Sequence, residues 1–315
     1  MTQPGHVQSS HPDRKLGWVP SDPDKPRLRL GAFLKSGYTG TVPQVIDYGS
    51  KIPAWTMSLN DRLGCCTAAD AAHQIAVWTS WGQGAMITPT DNDVLKFYEG
   101  STGYNPQDPA SDQGGNLQDV CAYFRRVGMA GHKAAAFFQV DPADDPELRA
   151  ALYLFGGVAI GFGIPAFAVQ QFDDHRVWDI SGYNTHIEGG HDVLLVGKTP
   201  TGNYQVVTWG RLQEVTPAFW SEYMAPSGNE AWCRASLEWV KANHSPPGLD
   251  TTALNAAFTQ LTGEPGPFTQ PIVPPIPTPK PAPTPAPKPT PVPAPSAADK
   301  ALATAMHTWL TSKGL

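Results

Sequence analysis

The chain has 315 residues, 41% of them hydrophobic and 16% charged, which is enough apolar material for a sizeable globular core. Its formal charge of −6 is uneven: residues 1–35 and 270–315 each carry a surplus of +3, leaving −12 on the stretch between them. A body that acidic repels a phosphate backbone, so nucleic acid is disfavoured as a partner. No apolar run reaches the length of a membrane span, and Met1 to Pro20 lacks the apolar stretch of a secretory signal. This leaves the location open, with a virion or the cytoplasm as the settings that fit. Four cysteines are too few for a disulfide scaffold, and Cys65 and Cys66, being adjacent, are poorly placed to pair with each other. The thiols read as reduced.

In chain order, residues 1–35 are expected to form an extended, proline-bearing arm on the body, and residues 36–269 the globular domain. Trp55 to Leu63 reads as a loop. Cys66 to Trp81 reads as a helix, with Ala69, Ala72, His73, Ala76, Val77 and Ser80 at the spacing of one buried face. Thr90 to Tyr98 reads as a second helix with Thr90 or Asp91 at its N-cap, and Asn116 to Val127 as a third with Leu117, Val120, Cys121 and Phe124 on one side.

From Val158 the pattern changes to strands. Val158 to Phe162, Asp192 to Val196 and Tyr204 to Trp209 are short, β-branched or aromatic, and bounded by turn residues. Helices followed by strands predict an α+β domain of two lobes. The glycine-rich run Gly156 to Gly163 lacks both the Gly-x-Gly-x-x-Gly spacing and the Lys-Ser/Thr ending of a phosphate loop, and reads as a buried strand under close backbone packing.

Residues 271–295 hold 13 prolines in 25 positions and predict a semi-rigid polyproline linker, here bounded as 270–296. In 297–315, Leu302, Met306, Trp309 and Leu310 make an apolar stripe that predicts a short helix docking on a protein partner.

The chemistry centres on Cys66. A thiol becomes a nucleophile near neutral pH when a helix N-terminus and an imidazole favour its thiolate, and Cys66 stands where a helix begins. From position alone it reads rather as a small buried residue. Its surroundings change that reading. Asn60-Asp61-Arg62-Leu63-Gly64-Cys65-Cys66 resembles the active-site loop of the papain-like cysteine peptidases, with an amide side chain six residues before the nucleophile and a glycine two before it. Gln113-Gly114-Gly115-Asn116 is similar to the family's Gly-Gly segment, Gly189-Gly190-His191-Asp192-Val193 to its histidine strand, and Thr208-Trp209-Gly210 to its Ser-Trp-Gly. Cys66 and His191 lie 125 residues apart, against roughly 130 in that pattern.

The resemblance implies a papain-like two-lobed fold, a helical lobe beside an antiparallel sheet or barrel. It implies Cys66 as nucleophile, His191 as base, and Asn60 with the Cys66 N–H as the oxyanion hole. Gly114, Gly115 and Gly190 would pair with extended peptide substrate, and Trp209 would cover the histidine. One position departs: Val207 stands where the family has the Asn that orients the histidine. Thr208, Asp192 or a backbone carbonyl can replace it, the pair can act as a dyad, or activity is lost.

No metal or cofactor is called for. His186 and His191 have no Cys/His cluster around them, and the carboxylates at Asp91 to Asp93 and Asp108 to Asp112 read as solvated loops without calcium-loop spacing. Likewise His73 reads as a satisfied core or interface histidine. The expected function is a thiol peptidase or peptide amidase acting on a peptide or protein substrate and tethered by its tail to a larger assembly. The competing expectation is an inactive papain-fold binding or structural subunit, for example of a phage virion or an actinobacterial surface.

Overall fold

The computed structural model describes residues 13–82, 84–236 and 248–268, all within one compact unit, Met1–Pro277. The proline linker, the stripe of Leu302, Met306, Trp309 and Leu310, and the first residues of the arm lie outside the described residues.

Helix α1, Cys66–Gly82, runs through the middle of the molecule. Every residue from Cys66 to Trp81 is buried, so the single apolar face expected from spacing is corrected to burial all round. Small side chains make this possible: Ala68, Ala69, Ala71, Ala72 and Ala76 let neighbouring elements approach from every side. Some of its polar members find partners, whereas the Thr67 and Ser80 hydroxyls are buried without one among the described residues. Thr79 bonds back to Ile75 O at 2.8 Å, and His73 Nε2 meets Thr56 O at 2.8 Å, as a core histidine should.

Two shorter helices complete the helical lobe. Helix α2, Asp91–Thr102, starts at Thr90 with a reciprocal capping box to Asp93 and ends on Gly103. Helix α3, Leu117–Arg126, is capped by Asn116, whose side chain accepts from Asp119 N. Phe97, Phe124 and Trp78 join the three helices through ring contacts of 5.5 and 5.6 Å.

The second lobe is a seven-stranded antiparallel sheet. Its strands are β1 Ile46–Asp47, β2 Ala134–Val140, β3 Val158–Pro165, β4 Ile187–Lys198, β5 Tyr204–Thr208, β6 Arg211–Val215 and β7 Glu230–Ser236. The order is β2-β7-β3-β4-β5-β6, with β1 paired to β4. Helices α4, Asp145–Phe155, and α5, Ala166–Asp173, flank β3 in sequence, and α7, Thr251–Thr262, follows β7. A short turn, α6, Pro217–Phe219, runs on into a π-turn at Trp220–Met224. Strand β4 carries His191 and lies against α1, which carries Cys66; this contact between the lobes positions the site. The architecture is α+β, as helices followed by strands predict, and papain-like, as the resemblance implies.

Candidate active site

Helix α1 begins at Cys66, so the thiol stands at the end where unpaired backbone N–H groups favour an anion. The thiol is nevertheless not a thiolate in this state. Burial pushes it far up and the neighbouring Asp192 carboxylate adds to this, while the backbone N–H groups of Asp192, Gly17 and Thr67 pull the other way. All four cysteines are buried without disulfides.

His191 sits in β4 opposite Phe162 of β3 and is 1% exposed. Its Nε2 meets Thr208 Oγ1 at 2.6 Å, so of the open replacements for the missing Asn, the side chain that reaches the ring is Thr208. Val207, on the opposite face of β5, is buried among apolar side chains. Nδ1 is buried with no hydrogen-bond partner among the described residues. Burial lowers the imidazole to about 3, which holds it neutral at ordinary pH.

Trp209 covers that ring, stacked with centroids 4.3 Å apart and planes 16° from parallel. It does so from a two-residue hairpin turn between Thr208 and Arg211, in which Trp209 and Gly210 have φ of 42° and 78°. Such turns need positive φ at both central residues, and a tryptophan there is strained. The strain is retained where the indole seals the histidine.

Asn60 is 2% exposed, and its Nδ2 donates to Leu63 O and Lys15 O, both at 3.1 Å. The loop that carries it is fixed by Asp112, which was expected to be a solvated loop residue. Its carboxylate instead accepts from Gly64 N at 3.0 and 3.2 Å and from Tyr98 OH at 2.6 Å; Tyr98 OH in turn accepts from Gly114 N at 3.0 Å. One carboxylate thereby locks the cysteine loop to the Gly114-Gly115 loop. No spacing rule would have marked it.

The arm runs through this cleft, directly over the cysteine. Gly115 N donates to Gly17 O at 2.8 Å, and Val19 N donates to Gly115 O at 3.1 Å. Gly17 N and Trp18 N donate to Gly190 O at 2.9 and 3.0 Å, and Trp209 Nε1 donates to Lys15 O at 3.3 Å. The pairing of Trp18 with Gly115 is parallel. The approach is possible only because the facing residues lack side chains. A Cβ on Gly17 would lie 1.7 Å from Gly64 O, one on Gly114 1.9 Å from Gly17 O, one on Gly190 1.9 Å from Trp18 O, and one on Gly161 2.1 Å from Trp18 Nε1. The glycine-rich run at 156–163 is therefore the strand on which the Trp18 indole rests.

Beyond the cleft the arm is anchored by Ser21, whose N and Oγ both donate to buried Glu230, and by Lys25 on Asp119. Residues 15–19 act as extended backbone, while 30–33 form a 3-10 turn. Of the residues singled out from sequence, Asn60, Gly114, Gly115, Gly190 and Trp209 all touch this arm. Cys66 lies under it, and His191 lies under Trp209. His186, by contrast, is exposed while His191 is buried. Among the described residues no group of three His, Cys, Asp or Glu could hold a metal ion, and no helix is long and apolar enough to cross a membrane.

The fold is that of the papain-like cysteine proteases. A solved structure similar to this chain is xylellain, a cysteine protease from Xylella fastidiosa, at 15% identity and a TM-score of 0.56, covering 74% of this chain and 99% of that one. A second is proCathepsin B S9 from Trypanosoma congolense, at 11% identity and a TM-score of 0.46, covering 71% and 87%. A third is procathepsin L 3 of the Tenebrio molitor larval midgut, at 11% identity and a TM-score of 0.45, covering 73% and 76%. No family model matches the chain, and no curated protein matches it.

Proposed function

We propose that the protein is a papain-like cysteine peptidase or peptide amidase in which Cys66 attacks the substrate carbonyl, His191 carries the proton and Thr208 orients His191. It is latent while residues 15–19 lie across the cysteine. One observation carries this reading: the cleft already holds an extended peptide backbone, paired on one side to Gly115 and on the other to Gly190, directly above the thiol. A groove that binds main chain in this way accepts peptide irrespective of most of its sequence. In the reaction the Cys66 proton passes to His191 and the sulfur bonds to the carbonyl carbon. The C–N bond then breaks as His191 gives that proton to the leaving amine. A water deprotonated by His191 cleaves the thioester, releasing the acid and returning the proton to the thiol. Asn60 Nδ2, now on Lys15 O, is the donor available to the developing oxyanion.

The pairing of the arm supports latency, because its own backbone occupies the Gly115 and Gly190 main-chain groups that an extended substrate would need. The inactive-subunit reading draws support from Val207 and from a thiol that burial holds protonated. The C-terminal tail, outside the described residues, is proposed as the tether to a larger assembly in either case. Trp18→Ala in the full chain, which empties the indole's seat, is the deciding variant. It should cleave members of a broad peptide library that the parent leaves intact, and adding Cys66→Ala should abolish the cleavage. If Trp18→Ala folds and cleaves nothing, the subunit reading replaces the enzyme.

A further inference from the structure

The indole of Trp18 occupies a seat beside the cysteine that the proposed reaction does not use. It packs in a small group with Cys66 of α1, Leu117 and Cys121 of α3, Ala159 of β3 and Trp232 of β7. The floor of the seat is strand. Gly161 of β3 pairs with Asp192 of β4 on one side and with Glu230 of β7 on the other. Residues directly opposite in antiparallel strands project from the same face, so two carboxyl side chains flank the bare Gly161. The indole lies on that glycine. A Cβ on Gly161 would stand 2.1 Å from Trp18 Nε1, and one on Gly190, two residues before Asp192, 3.0 Å from Cε3 of the same ring.

The polar ends of this seat do not match its occupant. Trp18 is 6% exposed and its Nε1 has no hydrogen-bond partner among the described residues. Asp192 is 3% exposed, and neither of its carboxyl oxygens has a partner either. Arg234, further along the same face of β7, is ion-paired to Asp70. Burial and the Asp70 charge push the Asp192 carboxyl well above the usual carboxylate range, with Arg234 opposing them. Glu230 does accept hydrogen bonds, but two of them come from N and Oγ of Ser21 in the arm, and the third from Trp232 Nε1. When the arm leaves, both Ser21 donors leave with it. An apolar-walled pocket beside Cys66 then ends in two acids, one never bonded and one newly short of donors. Buried acids are tolerated where an opposite charge meets them, and the neutral indole N–H does not supply it.

We propose that the Trp18 seat is a specificity pocket for a long basic side chain of the substrate, with its charged head between Asp192 and Glu230 and its stem against Trp232, Leu117 and Ala159, a reading that rests on the cleft being the peptide groove described above. Arginine fits best, because its planar fork offers five N–H donors to two carboxylates while its methylene stem packs on apolar walls. The substrate class is then peptide with a basic residue close to the bond that Cys66 attacks.

The test uses the full chain carrying Trp18→Ala and Cys66→Ala, so that the seat is empty and bound peptide is not consumed. Short labelled peptides of alanine and serine carry arginine, citrulline or leucine at each position in turn, and binding is read by fluorescence anisotropy. Citrulline keeps the shape of arginine and lacks its charge. At one position arginine should bind about tenfold or more tighter than citrulline. Asp192→Asn and Glu230→Gln, each checked by a melting curve, should each remove most of that ratio and leave the leucine peptide nearly unchanged. Equal binding of arginine and citrulline peptides at every position, or binding of neither, overturns the pocket. A preference for arginine that survives both substitutions overturns its assignment to Asp192 and Glu230. The same peptides are then offered to the chain carrying Trp18→Ala alone. Cleavage without preference removes the pocket and leaves the enzyme standing. Preference without cleavage keeps the pocket and gives it to a binding subunit.

Discussion

A hydroxyl at position 208 reaches the histidine because the strand ends there: Thr208 is the last residue of β5, and the strained Trp209-Gly210 turn folds back beside it. Val207 points into the sheet core, where an amide would be buried without a partner. Thr208→Val, which keeps the shape and removes the hydroxyl, should leave the melting temperature within a few degrees. It should lower turnover of the arm-released enzyme by about tenfold or more, since orienting the base is part of general acid–base catalysis. Unchanged turnover in that variant would remove Thr208 from the mechanism. The sequence pointed to Cys66 and His191 because both stand inside short patterns with a fixed order and spacing. Asp112 and Arg234 were not legible there. Their roles come from contacts across 48 and 164 residues of chain, to Gly64 and Asp70, and a lone Asp or Arg in a linear sequence carries no mark of its partner.

Among the elements, those with a local signature were readable: the caps of α2 and α3 stand in the sequence as Thr90 and Asn116. Strand β7 was not. Glu-Ala-Trp-Cys-Arg-Ala-Ser has two charges, yet all seven residues are buried, because Glu230 accepts from Ser21 and Trp232 while Arg234 pairs with Asp70. Helix α4 depends on a similar long-range contact. Asp145 in its first turn faces Lys198 of β4, Tyr204 of β5 and Arg149 one turn on. Burial pushes the Asp145 carboxyl up, but bonds from Lys198, Tyr204 and Arg149 outweigh it and hold the group below its ordinary value. A depressed carboxylate adds stability above its unfolded pKa of about 4 and loses it as pH falls through the folded value. The side chain is 37% exposed, so solvent screens part of the effect. Asp145→Asn should cost about 1 kcal/mol at pH 7 in a urea titration, and parent and variant should converge below about pH 4. An equal difference at pH 3 and pH 7 would mean that packing, not charge, is what the variant loses.

At the scale of the whole molecule, the arm and the central helix hold the two lobes together. The arm does so by bonding Gly115 and Asp119 on one side and Gly190 and Glu230 on the other. Helix α1 does so by lying against β4 and β5, and it buries His73 against Trp55 and under Thr56 O. Burial lowers His73 to about 4, although the bond to Thr56 O opposes this. The sign follows from proton counting. Unfolded, the imidazole takes up a proton near pH 6.5; folded, it resists until about pH 4, so over that window the unfolded chain binds more protons and stability falls as pH falls. Two and a half units correspond to roughly 3 kcal/mol from this residue, and neutral, buried His191 acts in the same direction. Acid should therefore destabilise the fold before most carboxylates titrate. Urea midpoints measured from pH 7.5 to 4.5 should decline steadily in the parent. In His73→Gln, which keeps an N–H for Thr56 O but cannot charge, the decline should be visibly shallower. Parallel declines in the two proteins would show that His73 does not titrate on unfolding and that the acid sensitivity comes from elsewhere in the fold.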